Sequence, residues 1–393
     1  MKRNNIYLDH AATTPCDKRV VKKMLPYFDD SFGNPSGIYK ISREAKTAMD
    51  QARNVIARFL GCTTDEIIFT NGGTESDNMA ILGFARKCKK GHIITSKIEH
   101  SAVLNSCRQL EKEGFDITYL PVDKNGLISA KQVGEALKPE TILVSIMYAN
   151  NEIGTIEPIE EIAKTIKKYR TSRKSLNPLF HTDACQATQY LEMKVEKLGV
   201  DMLTFNGSKI YGPKGIGVLF VKNGVKIDPI LFGGEQEKGI RPGTENVPAI
   251  VGLGEAVRLI DKKSGLKEHE LRDSMIEKLL KIENSELNGD RAKRLPNNIN
   301  IAFYGIEGES AILYLDEVGI ACSAGSACLS KTLEPSHVIL ALGKGREAAH
   351  SSLRFTIGRN TSREDIEYTA EKIADTVERL REMSAVNKSK VKR

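Results

Sequence analysis

The chain has 393 residues, 40% hydrophobic and 28% charged, a composition that suits a soluble enzyme with one large core or two domains and excludes a disordered chain. Four basic residues of the net charge of +7 lie in the last seven positions, "NKSKVKR", so the charge balance argues against nucleic acid as a direct partner. No apolar run approaches the roughly 20 residues of a membrane span, and the start "MKRNNIYLDHAATTP" holds no apolar leader, so no membrane is expected and the expected location is cytoplasmic.

Before residue 65 no element is assigned. From about 65 to 222, short β-rich runs alternate with helical patterns: "EIIFT", a helix near 75–88, "HIITS", a helix over 101–113, "DITYL", a helix over 129–138 and "ILVSIM". A helix over 159–170, "LFHT", "DMLTF" and "IGVLFV" come next. Apolar runs of this length between amphipathic helices predict an α/β fold with a mostly parallel sheet covered on both faces, which binds ligands at the carboxyl ends of its strands. Residues 246–283 read as helical, followed by the strand "NINIAF", a helix near 308–318, the strand "SLRFTIG" and a final helix over 362–383. That is a smaller α+β domain, with the boundary near 255. Seven cysteines at 16, 62, 88, 107, 185, 322 and 328 form no CxxC pair and fit reduced thiols. Neither they nor the seven histidines show paired ligand spacing, so no metal site is expected.

Five stretches carry chemistry. In "TNGGTESDNMAI", Gly72, Gly73 and Thr74 stand between a strand and a helix, where free N–H groups and a hydroxyl make an anion site or, more plainly, a capped helix start. "LFHTDACQ" ends a buried strand in Asp183 with Gln186 three residues on; the carboxylate either needs a partner or caps the next segment of chain. In "FNGSKIYGPKGIG", Lys209 leaves a buried strand just before a Gly/Pro turn, the wrong context for a solvated charge. Pyridoxal phosphate accounts for all three, since it needs a lysine for a Schiff base, a carboxylate at its ring nitrogen and a phosphate cradle. The small residues around Cys328 in "CSAGSACLSKTLEPSH" suit a nucleophile on a moving loop or an incidental turn cysteine. Arg354 in "SSLRFTIGR" either grips an anion or makes a structural salt bridge.

These stretches, with "YLDHAATTP", "FGNPSG", "IEHSAVL", "NNEIG", "RPGTEN" and "GSACLSKTLEPSHV" in the same order, resemble the cysteine desulfurases of the NifS/IscS-like class, fold-type I pyridoxal-phosphate enzymes of the class-V aminotransferase family. The resemblance runs over nearly the whole chain. It implies a large cofactor-binding domain over 15–255 and a small domain of 1–14 and 256–393, carrying a mobile cysteine loop at about 322–334. It implies that Lys209 forms the Schiff base, Asp183 pairs with the ring nitrogen, Gln186 touches the phenolic oxygen, and His100 stacks on the ring and moves protons. Gly73 and Thr74 would hold the phosphate, with Thr244 from a partner subunit of a homodimer. Asn151 would contact the substrate–cofactor adduct, Arg354 would grip the carboxylate of L-cysteine, and Cys328 would take the sulfur. The products implied are L-alanine and a persulfide, passed to sulfur acceptors such as an iron–sulfur scaffold or a tRNA-thiolation enzyme. A selenocysteine lyase or an eliminating cysteine lyase is the alternative, and a non-catalytic scaffold a third. In one place the chain departs from the pattern: Ser208 and Asn206 stand where the family usually has histidine and often serine, though both can still donate to a phosphate.

Overall fold

The structure, a computed structural model, describes residues 5–261, 264–324 and 334–383. Its first part runs β1 (Ile6–Tyr7), α1 (Lys18–Met24), α2 (Lys40–Leu60), β2 (Ile67–Thr70), α3 (Gly73–Asn78), α4 (Phe84–Cys88), β3 (His92–Ser96), α5 (Ser101–Lys112) and β4 (Asp116–Leu120). It continues through α6 (Ala130–Ala136), β5 (Thr141–Ser145), α7 (Ile159–Arg173), β6 (Leu179–Asp183), α8 (Val195–Leu198), β7 (Met202–Asn206), β8 (Gly217–Val221) and α9 (Val247–Arg258). The second part holds α10 (Ser264–Leu279), β9 (Ser285–Leu287), β10 (Asn298–Phe303), α11 (Gly308–Glu317), β11 (Ile320–Ala321), α12 (His337–Ala341), α13 (Arg346–His350), β12 (Ser352–Thr356) and α14 (Arg363–Met383). Among the described residues, no helix is long and apolar enough to cross a membrane.

The larger sheet has the order β2-β8-β7-β6-β5-β3-β4. The run from β4 to β7 is parallel throughout, as the alternation of elements predicts; β8 departs from it, pairing antiparallel with both β7 and β2. Every residue of β3, β5, β6 and β8 is buried. Successive side chains enter opposite cores, Leu143, Leu179, Met202 and Leu219 on one face and Val144, Phe180, Leu203 and Phe220 on the other. Burial of both faces is why these runs lack the strict apolar–polar alternation of a half-exposed strand. The chain leaves β3 for the edge strand β4 and returns to β5 on the other side, so the loops after β3 and β5 part and open a crevice at the strand ends.

The sequence reading left β1, α1, α2, α8, β9, β11, α12 and α13 unassigned, and two helices show why it fell short. The helix expected near 75–88 starts at Gly73 and is broken by a π-turn at Met79–Gly83. The 21-residue α2 is amphipathic, and half of its buried face is alanine, Ala45, Ala48, Ala52 and Ala57, beside Met49, Ile56 and Leu60. These small residues let α9 approach closely; a Cβ at Gly254 would come 2.8 Å from that of Ala52. The helix stops at Gly61, whose φ of +70° favours glycine.

The smaller sheet, β12-β10-β9, is antiparallel and shares a core with α10, α11 and α14 that includes Leu271, Ile299, Phe303, Leu315, Phe355 and Ile373. β1 pairs with β11, and Ile6 and Leu8 join this second core. Residues 11–17 then pass to the first body, where Thr14 hydrogen-bonds Ser208. α9 gives Ala249, Leu253 and Val257 to the first core.

β7 carries the loop to Lys209, so its packing fixes where that loop begins. Phe205 is fully buried on β7 and meets Phe59 of α2 edge-on, with ring centroids 6.4 Å apart. Phe205→Ala removes this anchor and is expected to destabilise the fold by about 3–5 kcal/mol, read as a lower denaturation midpoint at unchanged slope.

Candidate functional site

A cavity of about 710 Å3 opens at the carboxyl ends of β2, β3, β5, β6 and β7. It brings together Gly73, Thr74, His100, Asn151, Asp183, Gln186, Asn206, Ser208, Lys209 and Arg354. Thr244 is exposed and is not part of this lining. Cys328 lies outside the described residues, as does the expected cysteine loop from 325 to 333.

Each side chain is aimed by local structure. Gly72 holds φ +154°, which favours glycine, and Gly73 is required by space: a Cβ there would lie 2.8 Å from Cys185 Sγ. Together they open the start of α3 beside β6 and β7. His100 caps α5, its Nδ1 accepting the Ala102 N–H at 3.1 Å. In the neutral ring the proton therefore sits on Nε2. After β5, Asn150 Oδ1 accepts the N–H groups of Glu152 and Ile153 and forms the turn that presents Asn151. Asp183 ends β6, with Oδ1 accepting the Cys185 N–H at 2.9 Å. Of its two sequence readings, pairing partner or cap, it fulfils the second locally and also faces the cavity.

Lys209 ends a single 3-10 turn after β7, and its Nζ donates to the Ala12 carbonyl at 2.5 Å. Burial lowers its pKa, with Cys185 as the largest opposing influence and the positive charge of Arg354 adding to the lowering. A larger share of the amine is thus neutral, and nucleophilic, near neutral pH. Gln186 Nε2 donates to the Ala11 carbonyl at 3.0 Å. Ser208 Oγ donates to Asn206 Oδ1 at 3.1 Å, while Asn206 Nδ2 points at Cys185 Sγ. The hydroxyl that the sequence offers to an anion thus has a neighbour of its own.

Arg354 is 1% exposed on β12 and makes the structural salt bridge of its two sequence readings. It lines the cavity, and it makes a salt bridge, NH2 donating to Asp9 Oδ1 at 2.7 Å and NH1 to the Asn151 carbonyl at 3.0 Å. Its Nε is buried without a partner among the described residues.

Sequence reasoning missed Asp9 and Asp77. Asp9 could have been found in "YLDHAATTP", a stretch that carries the family resemblance without a chemical role for its residues. Asp77 lies one turn into α3, lines the cavity and is 1% exposed, with Oδ1 lacking a hydrogen-bond partner among the described residues. Burial, then the charge of Asp183, raises its pKa well above the carboxylate range. His181 approaches it at 3.7 Å. Burial depresses His181 to about 4, so the contact is not an ion pair at neutral pH. The thiol of Cys185 is raised by burial and by Asp183, and that of Cys322 is pushed up to about 12, chiefly by burial; neither is an activated nucleophile.

Residues 6–369 match the family described as aminotransferase class-V. The chain is 50% identical over 391 residues to a cysteine desulfurase IscS of Dictyoglomus turgidum, covering 98% of this chain and 97% of that protein. Among solved structures, a NifS-like protein superposes with a TM-score of 0.89 at 33% identity, covering 96% of this chain and 100% of that one. A structure described as SspA in complex with cysteine gives a TM-score of 0.79 at 39% identity, covering 90% and 98%.

Glu99, beside His100, is fully buried, accepting from Ser96 and Met147 through Oε1, and burial raises it to about 8. The folded value exceeds the unfolded one, so between about pH 4.5 and 8 the fold holds a proton that the unfolded chain has lost. Stability from this group is full below that window and is lost as pH rises through it. Glu99→Gln is expected to gain thermal stability relative to wild type between pH values of about 5 and 9; parallel melting curves would contradict a neutral Glu99.

Proposed function

The chain belongs to the class-V aminotransferase family, and on that footing we infer that it is a cysteine desulfurase of the IscS kind, with Lys209 as its central residue. The observation that carries the reading is the convergence of Lys209, Asp183, His100 and Arg354 on one cavity, in a chain half identical to a named desulfurase. The solved relative holding cysteine supports L-cysteine as substrate.

The enzyme is pyridoxal-phosphate-dependent, and the cavity fits that group. The start of α3 is kept open by Gly73, where a Cβ would collide with Cys185, and a buried amine and a carboxylate lie within the same cavity. Gly73, Thr74, Asn206 and Ser208 would hold its phosphate, Asp183 its ring nitrogen, Gln186 its phenolic oxygen and Lys209 its aldehyde carbon. When bound, the cofactor draws electrons from the substrate's α-carbon, which makes the carbon–sulfur bond breakable.

The remaining chemistry falls to the protein. Lys209 would take the substrate's α-proton; burial keeps a share of its amine neutral for this purpose. His100 gives or takes protons at Nε2, because Nδ1 is engaged by the Ala102 N–H. Arg354 offers the substrate carboxylate the N–H groups that Asp9 and Asn151 leave over, and Asn151 sits beside it. The Cys328 thiolate attacks the substrate sulfur, so that an S–S bond forms as the C–S bond breaks, and the carbon skeleton leaves as alanine.

The same reading extends to a homodimer in which Thr244 serves the partner's phosphate site. Its position outside its own cavity supports this, as do the exposed side chains of Phe28, Phe32, Ile38 and Phe232. The chain would divide into a large cofactor-binding domain and a small domain carrying the Cys328 loop. The enzyme would act in the cytoplasm and pass sulfur to an iron–sulfur scaffold or a tRNA-thiolation enzyme.

Alanine and sulfide formed from L-cysteine with a reductant test the assignment. Cys328→Ser is expected to lose both products while keeping its cofactor absorbance, and Lys209→Ala to lose at least about a thousandfold in kcat. A fully active Cys328→Ser would turn the reading toward an eliminating lyase. On dialysis against a carbonyl reagent, Ser208→His is expected to retain cofactor longer than wild type, since an imidazole replaces a hydroxyl already bonded to Asn206; equal retention refutes a phosphate role for this position.

A further inference from the structure

The segment "DHAATTPCD", residues 9–17, crosses the turn that carries Lys209, and one side chain in it bonds the backbone on both sides of that lysine. Thr14 is 2% exposed. Its Oγ1 donates to the Ser208 carbonyl at 3.0 Å and accepts the Tyr211 N–H at 2.8 Å, while its own N–H donates to the same Ser208 carbonyl at 2.8 Å. Lys209 stands between those two partners, and its amine reaches the Ala12 carbonyl, two residues before Thr14.

The turn needs such a restraint. Tyr211 holds φ +60°, an outlier for an aromatic residue, which persists only where the surroundings over-determine it. Three further contacts hold it. Its carbonyl accepts the Asp17 N–H at 2.9 Å, its hydroxyl accepts the Arg359 N–H at 2.9 Å, and its ring lies 4.1 Å from the Arg359 guanidinium carbon. Of all these contacts, only the Thr14 hydroxyl joins the residue before Lys209 to the strained residue after it.

We propose that Thr14 is a positioning residue for Lys209: its hydroxyl, bridging Ser208 and Tyr211, locks the lysine turn so that the amine is held at its working place between Ala12 and the cavity. The proposal rests on the reading that Lys209 carries the cofactor. A valine fills the same volume but leaves the Tyr211 N–H without its acceptor, so the strained turn relaxes and the amine drifts; a serine keeps the bridge.

Holoenzymes of wild type, Thr14→Val, Thr14→Ser and Lys209→Ala are compared by the pH midpoint of the cofactor's visible absorbance, by kcat and KM for L-cysteine, and by thermal midpoint. Thr14→Val is expected to shift the absorbance midpoint by about half a pH unit or more and to lower kcat about tenfold with KM changed less than about twofold. Thr14→Ser returns the absorbance midpoint and kcat to near wild type. Should Thr14→Val not fold, Thr14→Ala, which brings in no new bulk, gives the same readouts. A wild-type absorbance midpoint and kcat in the hydroxyl-free variant, or a loss of thermal stability alone, overturns the proposal. Borohydride reduction separates this from failure of its premise: Lys209→Ala is expected to fix no cofactor, and fixation there sinks the assignment of Lys209 and the positioning role with it.

Discussion

The site depends on keeping an amine out of water without giving it a permanent carboxylate partner. Lys209 is half-buried, with burial lowering its pKa, and its hydrogen-bond acceptor is the carbonyl of Ala12, a dipole and not a counter-charge. A direct ion pair with Asp183 or Asp9 would hold the amine protonated and remove its nucleophilicity. The carboxylates are engaged elsewhere: Asp183 caps Cys185, and Asp9 is held by Arg354. Desolvation costs free energy, and the deep cores on both faces of the sheet offset it.

A similar economy of charge governs the floor of the cavity. Two carboxyl groups, Asp77 and Asp183, face one buried region beside a neutral His181. Two ionised carboxylates so placed repel each other, and protonation of Asp77 relieves the repulsion. Asp77 lies one turn along the helix whose start is held open by Gly73, so α3 relates the anion-facing end of the site to its acidic floor within six residues.

The parts of the site legible in the sequence are those that end parallel strands. Asp183 ends one buried strand and Lys209 follows shortly after another, and a charged residue at such a point has few ordinary explanations. Arg354 was legible as a type of residue but not as a role, because a buried guanidinium with several donors can make a salt bridge and line a cavity together. The carbonyls of Ala11 and Ala12 left no trace, since a backbone acceptor has no side-chain signature. α2 was missed although Met49, Ile56 and Leu60 mark its buried stripe; the alanines between them show their packing value only where α9 lies against them. Thr244, exposed in a single chain, and Cys328, outside the described residues, acquire roles only through the resemblance.

The contact between Ala12 and Lys209 joins residues 197 positions apart. Contacts of such sequence separation form after the local ones, because the chain between them must first be ordered. The parallel strands need only their neighbours, so the sheet can assemble before residues 9–17 cross it. The placement of the Lys209 amine against the Ala12 carbonyl is thus among the last features the folding chain acquires, although the strand that leads to it is set by its neighbours in the sheet. In a partly folded chain Lys209 would be a lysine like any other, its amine solvated and protonated, because the burial that lowers its pKa exists only once the whole crossing is made.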